Sequence, residues 1–195
     1  MPLIAPKNDN KDFERCPTGL QPAVCVYVVD MGLQLNKGGE SKRKVRLVFE
    51  ADAKISEGEY AGKPFMLSTE FTFSMFKNSH LRMNIQNWFG KNMTDEQADE
   101  FDLEKLVGKM CTLNVVENEY NGKTYTNIAA INPATKGVEV VPSGVDLPAW
   151  IQERAAEGAK RLLDSEMDQR PDDEKGPPPE SYEDDAKSDL PWDDD

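Results

Sequence analysis

The apolar residues of this chain recur first at intervals of two, then at three and four, then at two again. Ala23-Val24-Cys25-Val26-Tyr27-Val28-Val29-Asp30-Met31 is dense in β-branched residues and predicts a strand buried on much of both faces, with Gly32 bending or bulging it. From Lys42 to Ala51 the pattern alternates, with Val45, Leu47 and Phe49 on one face and Lys42, Lys44 and Arg46 on the other. Phe65 to Phe73 alternates likewise and directs Phe65, Leu67, Phe71 and Phe73 inward. The glycine-bearing stretches 36–41 and 52–64 read as the loops between these strands.

Helical spacing follows. Asn78 or Ser79 can cap a helix carrying Leu81, Ile85, Trp88 and Phe89, stopped by Gly90, and both aromatics read as core. Thr94-Asp95-Glu96-Gln97 has the form of a capping box and predicts a short helix to about Phe101, with a further turn over Leu103, Leu106 and Val107. Two strands, 109–117 and 124–131, flank Asn121-Gly122, a hairpin signal. Residues 137–145 read as weakly extended. Asp146-Leu147-Pro148 then suggests a capped helix with a stripe from Trp150 through Ile151, Ala155 and Ala159 to Leu162, ending near Ser165. That stripe would serve equally to cover one end of a barrel or to pair with a second copy as a homodimer.

Three strands, a helical insertion and a two-strand hairpin make a mainly β layout. It is that of a five-stranded OB-fold barrel with helices between strands three and four, although a small β-sandwich has the same strand count. The expected organisation is an N-terminal arm (1–20), a barrel domain (21–145), a C-terminal helix (146–165) and an acidic tail (166–195) too polar and proline-rich to fold.

Charge sharpens this picture. The net charge is −13, yet residues 166–195 hold 13 Asp/Glu and 3 Lys/Arg, leaving 20 Lys/Arg against 23 Asp/Glu for the body. A basic face on that nearly balanced body is compatible with the acidic total. The tail closes on Asp189-Leu190-Pro191-Trp192-Asp193-Asp194-Asp195, one apolar anchor among carboxylates, which suits capture by a basic-rimmed pocket of a partner or return to the protein's own basic groove. Cys16, Cys25 and Cys111 are unpaired in number and read as reduced thiols in the cytosol; Cys25 and Cys111 lie in apolar runs and read as buried. With His80 the lone histidine and no metal-ligand spacing, no metal or cofactor is expected. No phosphate-binding Gly-rich loop and no nucleophile elbow occur, which points away from an enzyme, and no apolar run suits a membrane span.

Residues 22–135 resemble a group of bacteriophage single-stranded-DNA-binding proteins with an OB fold. The likeness rests on Pro22-Ala23 with Val28-Val29-Asp30-Met31-Gly32, on Lys44 to Glu50, and on Phe71-Thr72-Phe73-Ser74. It continues through Ser79-His80-Leu81-Arg82, Trp88-Phe89-Gly90-Lys91 and Leu106-Val107-Gly108-Lys109. The tail separately resembles the acidic tip of bacterial single-stranded-DNA-binding proteins, but three Asp residues follow Trp192 where that tip ends on its aromatic. The resemblance implies an OB fold and sequence-independent binding of single-stranded DNA in replication or recombination, within the cytoplasm of a bacterial host. It also implies a tail that recruits replication or recombination proteins.

Such binding needs cations along the backbone path and exposed rings for bases. Lys42, Arg43, Lys44 and Arg46 are the densest cationic cluster, and Lys54, Lys63, Lys77, Arg82, Lys91, Lys109 and Lys123 could extend it. Tyr27, Tyr60, Tyr120 and Tyr125 are the stacking candidates, because a phenol tolerates partial exposure. The competing reading is an inhibitor whose acidic tail mimics nucleic acid toward a host enzyme; a basic strand in the same chain favours the binding protein.

Overall fold

The computed structural model describes residues 14–36 and 38–168. The partner-binding tip expected at Asp189–Asp195, and most of the expected arm, lie outside the described residues. The described chain runs β1 (Gly19–Leu35), β2 (Ser41–Lys54), β3 (Pro64–Thr72), α1 (His80–Phe89), α2 (Asp95–Asp99), a 3-10 turn (Leu103–Leu106), β4 (Met110–Tyr120), β5 (Lys123–Asn132) and α3 (Ala149–Asp168).

The strands form one antiparallel sheet in the order β3-β2-β1-β4-β5. Its edges, β3 and β5, approach one another without closing the sheet by hydrogen bonds. The seventeen-residue β1 is the shared strand: Gly19–Val24 pair with β4 and Ala23–Leu35 with β2. It achieves this by breaking register twice, between Cys25 and Tyr27 and between Asp30 and Gly32. Each such bulge bends a strand and increases its twist. The β4–β5 turn has Asn121 at φ 51° and Gly122 at φ 69°, the positive pair that a two-residue type I′ hairpin requires.

The alternation in the sequence places two different surfaces on the sheet. On one face, Cys25, Leu47, Phe49, Leu67, Leu113 and Ile131 are buried against Leu81, Ile85 and Trp88 of α1. That helix starts where Ser79 Oγ accepts the Arg82 N–H (3.3 Å) and stops at Gly90 in the left-handed region. The Trp88 indole satisfies its N–H on the Met110 carbonyl at 2.8 Å. The opposite, outer face carries a smaller apolar cluster of Met31, Val48 and Ile151, with Tyr27, Val29 and Ala155 around it. Full burial of a side chain such as Ile151 contributes about 1.5–3 kcal/mol, so α3 is held to the outer face by more than its polar contacts.

α3 and β1 meet backbone to backbone. Gly32, at φ 58° in the second bulge, faces Gly158, and a methyl group on either would overlap the other element's main chain. Around this contact the Gln34 amide donates to the carbonyls of Met31 (2.5 Å) and Arg154 (3.2 Å), while Arg154 Nε donates to Gln34 Oε1 (3.1 Å).

Several expectations are corrected. The strand at Gly19 begins inside the expected arm, and Cys16 is buried in the main core. Residues 137–145 form no strand; they cross the outer face, where Ser143 donates to buried Glu50 from N (2.7 Å) and Oγ (2.8 Å), and Tyr27 donates to the Val145 carbonyl at 2.7 Å. Asp146 does not cap α3, which starts after Pro148, whose carbonyl accepts from Ile151 and Gln152. Phe73 and Phe89 are not core: β3 ends at Thr72 and leaves Phe73 beyond the packed layer, and Phe89 lies on the rim, stacked on Trp88 at 5.6 Å. Cys25 and Cys111 are buried as expected; desolvation pushes the Cys25 thiol up to about 12 and Cys111 higher still.

Candidate nucleic-acid interface

The basic cluster of β2 is divided by the strand's own period. Lys42, Lys44 and Arg46 face outward, and Arg43 faces the α1 side with Val45 and Leu47. Arg46 is a correction: it is 9% exposed and lies beneath α3, because Trp150 covers its guanidinium at 4.9 Å. Arg46 Nη2 reaches Glu70 Oε2 at 2.7 Å and Nη1 reaches Ser68 at 2.9 Å, and Arg154 of α3 joins the same carboxylate at 3.1 Å. This arginine is committed to docking the helix and is not open to a ligand. Lys42 pairs with Glu40 (3.0 Å) on the surface, and Lys44 donates to the Thr72 hydroxyl (3.0 Å); both contacts are exposed, and an exposed ion pair such as Lys42–Glu40 contributes little.

Arg43 is the cation best placed beside an aromatic ring. Its guanidinium lies 5.0 Å from the centre of the Phe73 ring and makes a forked ion pair with Asp30. Burial pushes the Asp30 carboxyl upward, but the Arg43 hydrogen bonds and the Gly32 N–H outweigh it and hold the acid below its ordinary value. The same carboxylate raises Arg43.

Next to this pair a cavity of about 540 Å³ opens between the end of β3 and the start of α1 and α2. Phe73, Phe76, Lys77, Arg82, Asp95 and Asp99 are on its wall. Phe76 is 84% exposed, the most exposed large apolar side chain among the described residues. Lys77 follows it and is exposed. Arg82 is the second correction: at 3% exposure it donates to the Met75 carbonyl (3.2 Å), the Met93 carbonyl (2.6 Å) and Asp95 (2.7 Å), so it ties loop to helix. Lys91 borders a different cavity, of about 510 Å³, with Phe89, Met93 and Phe101.

The remaining candidates gather elsewhere. Tyr60 and Lys63, with the ammonium 5.1 Å from the ring centre, are in the β2–β3 loop, about 40 Å of extended strand from Lys42. Glu14 links that loop to the segment preceding β1 through the Ser56 N–H (2.7 Å), and Arg15 continues to Glu117 of β4 at 3.6 Å. Tyr120, Lys123 and Tyr125 project from β4–β5 on one face: Asn118 is paired with Tyr125 and Tyr120 with Lys123, out of phase with the core pair Leu113–Ile131. The structure thus brings Lys42, Arg43, Lys44 and Lys77 toward one end of the sheet, and Tyr60, Lys63 and the hairpin toward the other.

Phe73, Phe76, Asp95 and Asp99 were not among the sequence candidates. The available signal was the position of Phe76, which follows the last alternating strand residue and precedes the Ser79 cap, so neither element offers it a core face. Among the described residues no helix is long and apolar enough to cross a membrane, and no three His, Cys, Asp or Glu side chains converge as metal ligands would. No protein-family model matches the chain, and no curated protein matches it.

Proposed function

We propose that this protein binds single-stranded DNA without general sequence preference, as a non-catalytic component of bacteriophage replication or recombination in the bacterial cytoplasm. The observation that carries this reading is Arg43 laid over half-exposed Phe73, beside Phe76 and Lys77. Exposed rings for base stacking, interleaved with cations for phosphate, are the two requirements of a single-strand site. The order β3-β2-β1-β4-β5, with unpaired β3 and β5 approaching one another, supports reading the sheet as a partly open OB barrel. A nucleic-acid mimic has no use for a cation-flanked aromatic pair. The tip Asp189–Asp195 then acts as a handle for replication or recombination enzymes and as a competitor of DNA for the cations.

Fluorescence anisotropy with labelled oligo-dT tests the reading. Binding is expected at low salt and falls as salt rises, because neutralised phosphates release counterions. Absence of binding at low salt by the protein lacking residues 172–195 overturns it.

A further inference from the structure

The cavity beside Phe76 contains a feature that sequence-independent binding does not need. Two carboxylates, Asp95 and Asp99, stand on its wall together with an exposed ring and a lysine. Carboxylates beside a phosphate path repel the backbone; Asp95 also partners Arg82, but a backbone groove gives Asp99 no role. Their positions are set by the body of the protein. Asp95 opens α2 after the Thr94 capping box, and its Oδ1 is fixed by buried Arg82 at 2.7 Å, which leaves Oδ2 without a hydrogen bond from the described residues. Asp99 closes α2, exposed, with neither an ion pair nor a side-chain hydrogen bond among the described residues.

We infer that this cavity is a base-reading subsite that accepts one unstacked base of a bound strand and prefers guanine over thymine. The inference rests on the DNA-binding reading above and adds a chemical preference to it. Phe76 supplies the stacking face, Lys77 faces the strand's phosphate, and a carboxylate accepts hydrogen bonds from the base's Watson–Crick edge. Bases outside a duplex are read in this way, by stacking together with hydrogen bonds to that edge. Guanine presents two adjacent donors there, N1–H and the N2 amine, which match the two oxygens of one carboxylate. Thymine presents a single N3–H between two carbonyls, which set acceptor against acceptor. Adenine and cytosine each offer one amine beside an acceptor nitrogen and fall between. At about 540 Å³ the cavity is within the range of small-molecule sites.

The test uses the full chain and labelled oligo-dT strands whose central residue is dT, dG or deoxyinosine, the last being guanine without its N2 amine. The dG strand is expected to bind at least threefold tighter than the dT strand, with deoxyinosine between them. Asp99→Asn is expected to reduce that ratio toward one, by weakening the dG strand relative to the dT strand. The all-dT strand is expected to bind the variant no more weakly than wild type, because a charge that repels its backbone is gone. Asp99 is exposed at a helix end, so folding is not at stake; a circular dichroism spectrum verifies it. Equal affinity for the three strands overturns the subsite and leaves the DNA-binding reading standing. A guanine preference that persists unchanged in Asp99→Asn and in Asp95→Asn also overturns it, by moving the reader elsewhere. Failure to bind any of the three strands overturns the function itself.

Discussion

Gly158 of α3 rests against Gly32 of β1 so closely that neither position has room for a methyl group. The contact lets the helix sink onto the bulge, bringing Gln34 to Arg154 and Arg46 beneath Trp150. Two residues 126 positions apart therefore decide which surface of β2 meets solvent.

Gly158→Ala is expected to destabilise the protein by about 1–3 kcal/mol, a typical overpacking cost, which lowers the melting temperature of a chain this size by about 2–12 °C. Gly32→Ala is expected to cost more, because its φ of 58° adds backbone strain to the same overlap. Thermal denaturation followed by circular dichroism measures both.

Glu70→Ala leaves Arg46 and Arg154 facing one another without their shared carboxylate. Removing one partner from a largely buried ion pair costs about 3 kcal/mol. Urea unfolding is expected to show this loss, and Trp150 fluorescence is expected to change as the helix loosens. An unchanged midpoint would mean that the Glu70 pairs add little to the docking of α3 by Ile151, Gln34 and the Gly32–Gly158 contact.

Asp30→Asn separates stability from binding. The folded carboxyl lies below its ordinary 3.8, so its contribution is present above that value and is lost as pH falls through the lowered folded one. The melting-temperature advantage of wild type over the variant should thus be full at pH 6 and should shrink below pH 4. At neutral pH the variant frees Arg43 for phosphate. DNA binding should tighten, and the slope of log affinity against log salt should steepen by about 0.7, the increment for one phosphate contact on a single strand.

Phe76→Ala is expected to weaken oligo-dT binding by about 1–3 kcal/mol, fivefold or more in Kd, with no loss of stability, since the ring is exposed. Equal affinity in anisotropy titrations would remove Phe76 from the binding path.

Removing residues 172–195 is expected to tighten DNA binding most at low ionic strength, where the tail's carboxylates compete best for the cations. Titrations at low and physiological salt check this.

The sequence was legible wherever a single period governed. The alternation of Val45, Leu47 and Phe49 predicted their common burial, and Asn121-Gly122 predicted the hairpin. Ser79, Thr94 and Gly90 likewise end their helices as their chemistry dictates. What could not be read were meetings between distant segments. The outward row Lys42, Lys44, Arg46 is present, but nothing local to β2 signals that α3 covers its third member. Reversing the charge of Arg46 therefore perturbs folding as well as binding, whereas Lys42 and Lys44 report on binding alone. Arg82 misled for the same reason, because its acceptors on Met75, Met93 and Asp95 come from three different turns of chain. The alternation that directs Phe73 inward continues one residue past the strand that enforces it.

The double duty of β1 has a kinetic consequence. β2–β3 and β4–β5 are joined by short connections and can form locally, whereas β1 meets β4 only through pairs such as Val24–Met110 and Gly19–Val115, 86 to 96 residues apart. Closing loops of that length is entropically slow compared with hairpin formation. The β1–β4 seam is therefore expected to be the late event of folding, and it is the step that brings Cys111 and Leu113 to the core beneath α1. During synthesis, β1, β2 and β3 must wait for β4 with one flank of their shared strand unpaired, so the ribosome-bound chain is most prone to aggregate in that interval.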